Sequence, residues 1–382
     1  MSALRVGLFT ECYRPIQNGI VASIDALARS LRACGHAAIV VTPEMPTYRD
    51  VAGGVVRVPS LPLPTRTAYR LTVPYLPRSI GALSIVHAHS PFVTGWLGVQ
   101  AAHRARVPLV FTYHTQLEAY AHYVPFEGRA TRNAATLLTR FFANGADAVI
   151  VPTRAMEARL RTMGVRARIE VVPSGIDGAL FAAGRRRRDV RASFGVDDER
   201  KLVLSVGRLG REKNLELALR AFAHLSDPEA RLVVVGDGAH RAVLERLAAR
   251  LQIAARTTFA GELARAALPD VYASADAFLF TSSSDTQGLV LVEALAAGVP
   301  VVAVDTPQTR DVLADAGIVA RDDPLAIAAA VRSALAGDRP DARRGAAVAA
   351  TYDGVAIGAR VIALYDSLIA APPVRELVAA LR

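Results

Sequence analysis

The sequence predicts an α/β protein built as two Rossmann-like, doubly wound domains facing a central cleft, and three observations carry that prediction. Short β-branched runs alternate with longer Ala/Leu/Arg segments along nearly all of the 382 residues, the rhythm of βαβ units and parallel sheets. The rhythm stops once, over residues 178–200, "GALFAAGRRRRDVRASFGVDDER", and then restarts. Neither half carries a complete nucleotide-binding glycine loop of its own, so the expected ligand lies between the halves, outside the carboxyl ends of both sheets.

In the first half the strands are expected at "LRVGLFT", "AAIVVTP", "GVVRVPS", "LSIVHAHS", "PLVFTYHT", "DAVIVPT" and "IEVVPSG", with helices that include residues 20–34 and 93–106. The second half gives "KLVLSVGRL", "ARLVVVGDG", "TTFAGEL", "DAFLFTS" and "PVVAVDT", with helices near 214–224, 239–251, 266–274 and 288–297. Domain boundaries are expected at 1–178 and 179–354, with the C-terminal helix 355–382 crossing back to the first domain. "GDGAHR" at 236–241 has Arg241 where a dinucleotide loop needs its third glycine, and no P-loop pattern occurs.

Composition bounds the function. The chain is 52% hydrophobic and 21% charged, with no run of about 18 apolar residues free of charges or Pro/Gly breaks. The start, "MSALRVGLFT", reads as a first strand rather than a signal peptide, so a cytoplasmic location is expected. Cys12 and Cys34 make neither a disulfide framework nor a metal set and are expected as buried thiols. The net charge of +10 is uneven: residues 1–180 hold 19 arginines against 10 acids, and the remainder is near balance. That excess suits either a polyanionic surface, such as the inner face of an anionic membrane, or an arginine-biased genome. Nucleic acid is not expected, because no recognition motif or aromatic interleaving accompanies the charge.

Three stretches place candidate chemistry. In "TSSSDTQGLVLVEALAAGVPVVA", residues 281–303, a strand end leads into a helix whose first amides at Gly288, Leu289 and Val290 lack intrahelical partners and lie at the positive end of the dipole. Asp285 precedes that turn and Glu293 lies inside an otherwise apolar helix. The pair fits a ligand with a diphosphate between a sugar and a ribose, a nucleotide sugar. The plainer alternative is a helix cap plus a glutamate reaching a nearby arginine. In "LSVGRLGREKN", a strand end delivers Arg208 and Lys213, one of only two lysines in the chain. A guanidinium fork and a compact ammonium both suit phosphate oxygens. His87 and His89 in "VHAHSP" share one face of a strand without a third ligand, so they are read as structural or acceptor-side rather than metal ligands.

Together "NGI" (18–20), "YHT" (113–115), "PSGID" (173–177), "GRLGREKN" (207–214) and "SDTQGLVLVEALAAGVPVV" (284–302) resemble the retaining glycosyltransferases of family 4, which have the GT-B fold. The resemblance spans nearly the whole chain and includes the acid-x7-acid signature, with Asp285 where the family usually has Glu. "TECYRPIQNGIVASI", "YHTQLEAYAHYVP" and "DTQGLVLVEA" look like the bacterial branch that glycosylates diacylglycerol and related membrane lipids.

The resemblance implies a hexose moved from a nucleotide sugar of the UDP-glucose or GDP-mannose type to a membrane lipid such as diacylglycerol or a glycolipid. Alternatives are a soluble acceptor (a sugar, an inositol phosphate or a thiol precursor) and a nucleotide-sugar binder without turnover. By the same resemblance Arg208 and Lys213 neutralise the diphosphate, with amides at Gly288, Leu289 and Gly19 helping, while Ser174 and Gly175 lie near the donor. Asp285 binds the transferred hexose, Glu293 the ribose hydroxyls, and His114 faces the sugar from the first domain. Neither a cofactor nor a metal ion is expected, since fixed cations stabilise the leaving diphosphate. The loop "PSLPLPTRTAYRLTVPYLPR", residues 59–78 with Arg66, Arg70 and Arg78, is read either as a membrane-facing segment or as an ordinary packed loop.

Overall fold

The structure, a computed structural model, describes residues 3–50, 53–63, 69–123, 128–225, 227–338 and 340–371. The chain forms two compact units, one from the segments Met1–Gly175 and Gly354–Arg382, the other Ile176–Asp353.

In the first unit, strands β1 (Arg5–Phe9), β2 (Ala37–Pro43) and β3 (Val55–Val58) are followed by the hairpin β4 (Ser60–Pro62) and β5 (Arg70–Thr72). Then come β6 (Ile85–Ala88), β7 (Leu109–Thr112), β8 (Ala148–Val151) and β9 (Ile169–Val171). Seven of these form one parallel sheet in the order β3-β2-β1-β6-β7-β8-β9. Val6 pairs with Ala38 on one side and Ile85 on the other. Alternate residues feed two cores, Phe9, Val86 and Phe111 on one face and Leu8, Ile85 and Val110 on the other. A sheet buried on both faces explains why its strands read as continuous apolar runs.

The helix Gly354–Ala370 completes this unit. Gly358 lets it approach the helix Gly19–Ala33 closely, since a Cβ there would lie 2.2 Å from that of Ser30. Ser30 also donates its hydroxyl to the Gly354 carbonyl at 2.8 Å.

The second unit holds β10 (Leu202–Val206), β11 (Arg231–Val235), β12 (Thr257–Gly261), β13 (Ala277–Phe280), β14 (Val301–Val304) and β15 (Ile318–Ala320). They form a parallel sheet in the order β12-β11-β10-β13-β14-β15. The strand order reverses beside β1 in one unit and beside β10 in the other, and such switch points open a crevice at the strand carboxyl ends.

Three strands departed from expectation by existing at all: β15 and the two strands of the β4/β5 hairpin, each only three residues long. Three members of the four-arginine run form ion pairs: Arg186 pairs with Asp276, Arg187 with Asp189 and Asp270, and Arg188 with Asp198. Cys12 is buried as expected, but Cys34 is exposed, because it caps the end of the helix Gly19–Ala33 instead of lying within its buried stripe.

Candidate active site

At the switch point of the second unit, the turn Arg211–Lys213 after β10 meets the loop after β13. Lys213 Nζ lies 2.6 Å from Asp285 Oδ1. Three hydroxyls join the two segments: Thr281 Oγ1 donates to the Lys213 carbonyl at 3.3 Å, and Ser282 and Ser284 donate to the Glu212 carbonyl at 3.3 and 2.9 Å. Residue types that compete for backbone groups here lock one loop onto another. The run "TSSS" was the available sequence signal for this brace.

Arg208 Nη2 reaches Glu212 Oε1 at 2.6 Å, and the Glu212 side chain is fully buried. Gly210 makes room for that carboxylate, since a Cβ at 210 would lie 2.2 Å from Glu212 Oε1. Glu212 was not foreseen as the partner of Arg208. Asn214 closes the turn at φ 51°, a left-handed conformation that asparagine tolerates better than most residues.

Gly288 precedes the helix Leu289–Ala296 at φ 75°, where a side chain would be strained and would press on Phe280 at 3.0 Å. No side chain caps this helix and its first turn carries no acid. Its amino end begins at a glycine and carries the positive end of the helix dipole, an arrangement that favours an anion.

Glu293, the fifth residue of that helix, is 3% exposed. Tyr272 donates its hydroxyl to Glu293 Oε2 at 2.9 Å, and Arg265 Nη1 lies 3.1 Å from Oε1. Burial pushes the Glu293 carboxyl up from its ordinary range, and Arg265 and Tyr272 pull it back. The Arg265 guanidinium sits over the Phe181 ring, 5.4 Å from its centroid. Ribose hydroxyls at Glu293 would thus join, or displace, donors that the protein already supplies.

In the first unit, the helix Gly19–Ala33 opens with Gly19 exposed, and Asn18 accepts from the Val21 amide at 2.9 Å. Ser174 Oγ lies 2.9 Å from Ser23 Oγ, and Gly175 packs on Gly354, whose Cα a Cβ at 175 would approach to 2.6 Å. Asp177 Oδ1 accepts from the Leu180 amide at 3.1 Å. Ser23, Ser174, Gly175, His87 and His89 line a small cavity of about 30 Å³.

His114 follows β7, and its Nε2 lies 2.9 Å from His89 Nδ1. His87 is held between Tyr365 Oη at 2.6 Å and Thr112 Oγ1 at 2.5 Å. Burial lowers all three histidines, His87 to about 3 and His114 to about 4, so they are neutral near pH 7. Three of the four ring nitrogens of His87 and His89 are in hydrogen bonds with Tyr365, Thr112 and His114. Among the described residues no group of three or more His, Cys, Asp or Glu side chains is placed to hold a metal ion.

Glu11, which sequence reasoning passed over, accepts from the Thr94 amide at 2.5 Å and the Thr72 hydroxyl at 2.8 Å. It ties the β4/β5 hairpin to the start of the helix Val93–Ala105. In that hairpin Leu61 and Leu71 face each other across the ladder and are 57% and 49% exposed. Arg70 folds back on Ser60 at 2.8 Å, Arg78 is exposed, and Arg66 lies outside the described residues.

Two doubly wound units, the second with paired cations and acids at its switch point, have the architecture of the GT-B glycosyltransferases. Residues 17–179 match the family model described as Glycosyltransferase Family 4, and residues 186–350 the one described as Glycosyl transferases group 1. The chain belongs to this glycosyltransferase family.

An alpha-monoglucosyldiacylglycerol synthase of Streptococcus pneumoniae is 32% identical over 82% of this chain and 74% of its own. A GDP-mannose-dependent alpha-mannosyltransferase of Mycobacterium tuberculosis is 33% identical over 82% of each. Among solved structures, a sucrose-phosphate synthase from Thermosynechococcus elongatus superposes with a TM-score of 0.79 at 24% identity, over 96% of this chain and 99% of that one. This last likeness concerns the fold. No helix of the described residues is long and apolar enough to cross a membrane.

Proposed function

We propose that this enzyme transfers a hexose, with retention of configuration, from a nucleotide sugar to a membrane lipid such as diacylglycerol or a glycolipid. The observation that carries the donor half is the meeting of Lys213, Arg208 and the amino end of the helix Leu289–Ala296 at one switch point. Fixed cations and oriented amides oppose the charge that builds on a departing diphosphate without reorganising. In this reading Lys213 and Arg208 take the diphosphate, helped by the amides of Gly288, Leu289 and Gly19, and Asp285 takes the hexose hydroxyls. Glu293 takes the ribose, His114 faces the hexose, and Ser174 and Gly175 complete the first unit's side of the donor contact. The first unit is then the acceptor domain and the second the donor domain. No metal ion enters this scheme.

The lipid half is supported by the names of the relatives, glucosyl-diacylglycerol and mannosyl transfer enzymes among them. It is also supported by the surface of the first unit. The exposed Leu61/Leu71 pair lies on a unit rich in arginine, and the helix Arg129–Asn144 exposes Leu137 and Phe141 along with Arg129 and Arg132. Apolar side chains flanked by arginines suit an anionic lipid surface. In this reading the enzyme works in the cytoplasm, peripheral on the inner face of the membrane.

The test offers UDP-glucose, UDP-galactose and GDP-mannose separately, with anionic liposomes containing diacylglycerol, and reads products by mass spectrometry. A hexosyl-lipid from one donor is expected. Slow donor hydrolysis with no lipid product would sink the lipid acceptor and leave the donor site standing.

A further inference from the structure

The three histidines at the ends of β6 and β7 form one stack, and the reading above uses only its last member. His87 and His89 stack with centroids 4.2 Å apart and planes at 29°, and His89 and His114 follow at 5.1 Å and 22°. His87 is fixed at both ring nitrogens, by Tyr365 from the returning helix and by Thr112. His89 is 3% exposed, gives Nδ1 to His114 Nε2 at 2.9 Å, and its buried Nε2 has no hydrogen-bond partner in the protein.

Two neutral imidazoles that meet nitrogen to nitrogen share one hydrogen, so one ring donates and the other accepts. Were the His89 hydrogen on Nε2, a buried N–H would be orphaned. With the hydrogen on Nδ1, only a lone pair is left unmatched, which costs less, since buried donors without partners are the rarer defect. His89 Nδ1–H therefore donates to His114 Nε2, and the neutral His114 ring keeps its own hydrogen on Nδ1.

We infer that His89 is a positioning residue for sugar transfer: through this bond it fixes the tautomer and ring plane of His114. The inference rests on the reading of His114 as the residue that faces the hexose. Its consequence is chemical. With its one lone pair, on Nε2, held by His89, the neutral His114 ring is a donor at Nδ1 and cannot act as a base. A partner that holds an imidazole in one tautomer serves the same purpose in hydrolase triads. His87, clamped between Tyr365 and Thr112, is the floor on which His89 stacks.

The test combines ring-nitrogen NMR of the histidine-labelled enzyme with steady-state kinetics of His89→Leu and His89→Asn. Asn places an amide N–H near the position of Nδ1, so it conserves the donor. In the unaltered enzyme His114 is expected with Nδ1 protonated and Nε2 bare. His89→Leu should lower kcat about tenfold, the weight of one hydrogen bond, with little change in KM for the nucleotide sugar and with loss of the single His114 tautomer. His89→Asn should recover most of the rate and the tautomer. A His114 hydrogen on Nε2 in the unaltered enzyme overturns the inference, and needs no variant to fold. So does an equal loss of kcat in both variants with the His114 signals unmoved. His114→Ala separates the parent reading: full transfer by that variant, with the expected tautomer in the unaltered enzyme, would refute the sugar-facing role and with it the positioning role, leaving only a structural pair.

Discussion

Lys213 Nζ sits 2.6 Å from Asp285 Oδ1, so the cation proposed for the donor diphosphate and the acid proposed for the hexose form one ion pair. Both side chains are about four-fifths buried, at 21% and 19% exposure. The shorter acid, standing where the family usually has Glu, is thereby met by a lysine that reaches it. A phosphate entering this site would face an ammonium already oriented by Asp285.

That pairing makes the two residues one functional unit. Lys213→Ala and Asp285→Ala should each lower kcat/KM on the order of a hundredfold, the scale of losing one charge-stabilising group. The double variant should be little worse than either single, because partners in contact are not additive. A double-mutant cycle on transfer rates, with circular dichroism to confirm folding, measures this. Multiplying losses would mean that the two residues act on the donor independently.

Glu293 serves the fold as well as the proposed ribose contact. Its truncation to Ala strips the acceptor from the buried Tyr272 hydroxyl, at a cost of about 1–3 kcal/mol in unfolding free energy. Glu293→Gln keeps the volume and an oxygen for Tyr272 while removing the charge that faces Arg265. Gln should therefore unfold in urea near the unaltered midpoint while KM for the nucleotide sugar rises. If the Gln variant shows an unchanged KM, the ribose assignment of Glu293 falls.

The sheets were legible because both faces of each are buried, which makes the strands continuous β-branched runs such as "LRVGLFT" and "KLVLSVGRL". β15 and the hairpin were not legible, since three residues are too few to show a period. At the site, spacing brought Arg208, Lys213, Asp285 and Glu293 into view. Their partners were hidden for differing reasons. Glu212 is adjacent to Lys213, but no local pattern marks a carboxylate that packs where Gly210 lacks a Cβ. Tyr272 and Arg265 reach Glu293 from separate segments, a tertiary match that no local pattern encodes. The histidine stack shows the same limit: "VHAHSP" predicted a shared face, but the closing residues, Thr112, His114 and Tyr365, come from another strand, its loop and a helix whose Tyr365 lies 278 residues beyond His87.

That stack also predicts how the fold responds to acid. Burial is the first cause that lowers His87 to about 3 and His114 to about 4, against 6.5 for an unconstrained histidine, and His89 moves the same way. A group that binds its proton less readily when folded makes the unfolded chain the greater proton binder below pH 6.5. The stability from the neutral stack is therefore complete above about pH 6.5 and is lost as pH falls toward 4 and 3, by about 1.4 kcal/mol per pH unit for each ring that stays neutral. Glu11 and Glu293, both raised by burial, work in the opposite direction, since the folded protein holds their protons more readily. The comparison that isolates His87 is urea unfolding of the unaltered protein and of His87→Gln, which lacks that titrating ring, between about pH 7.5 and 4.5. The unaltered protein should lose stability more steeply with falling pH than the variant. Parallel curves would show that His87 is not a source of the acid sensitivity.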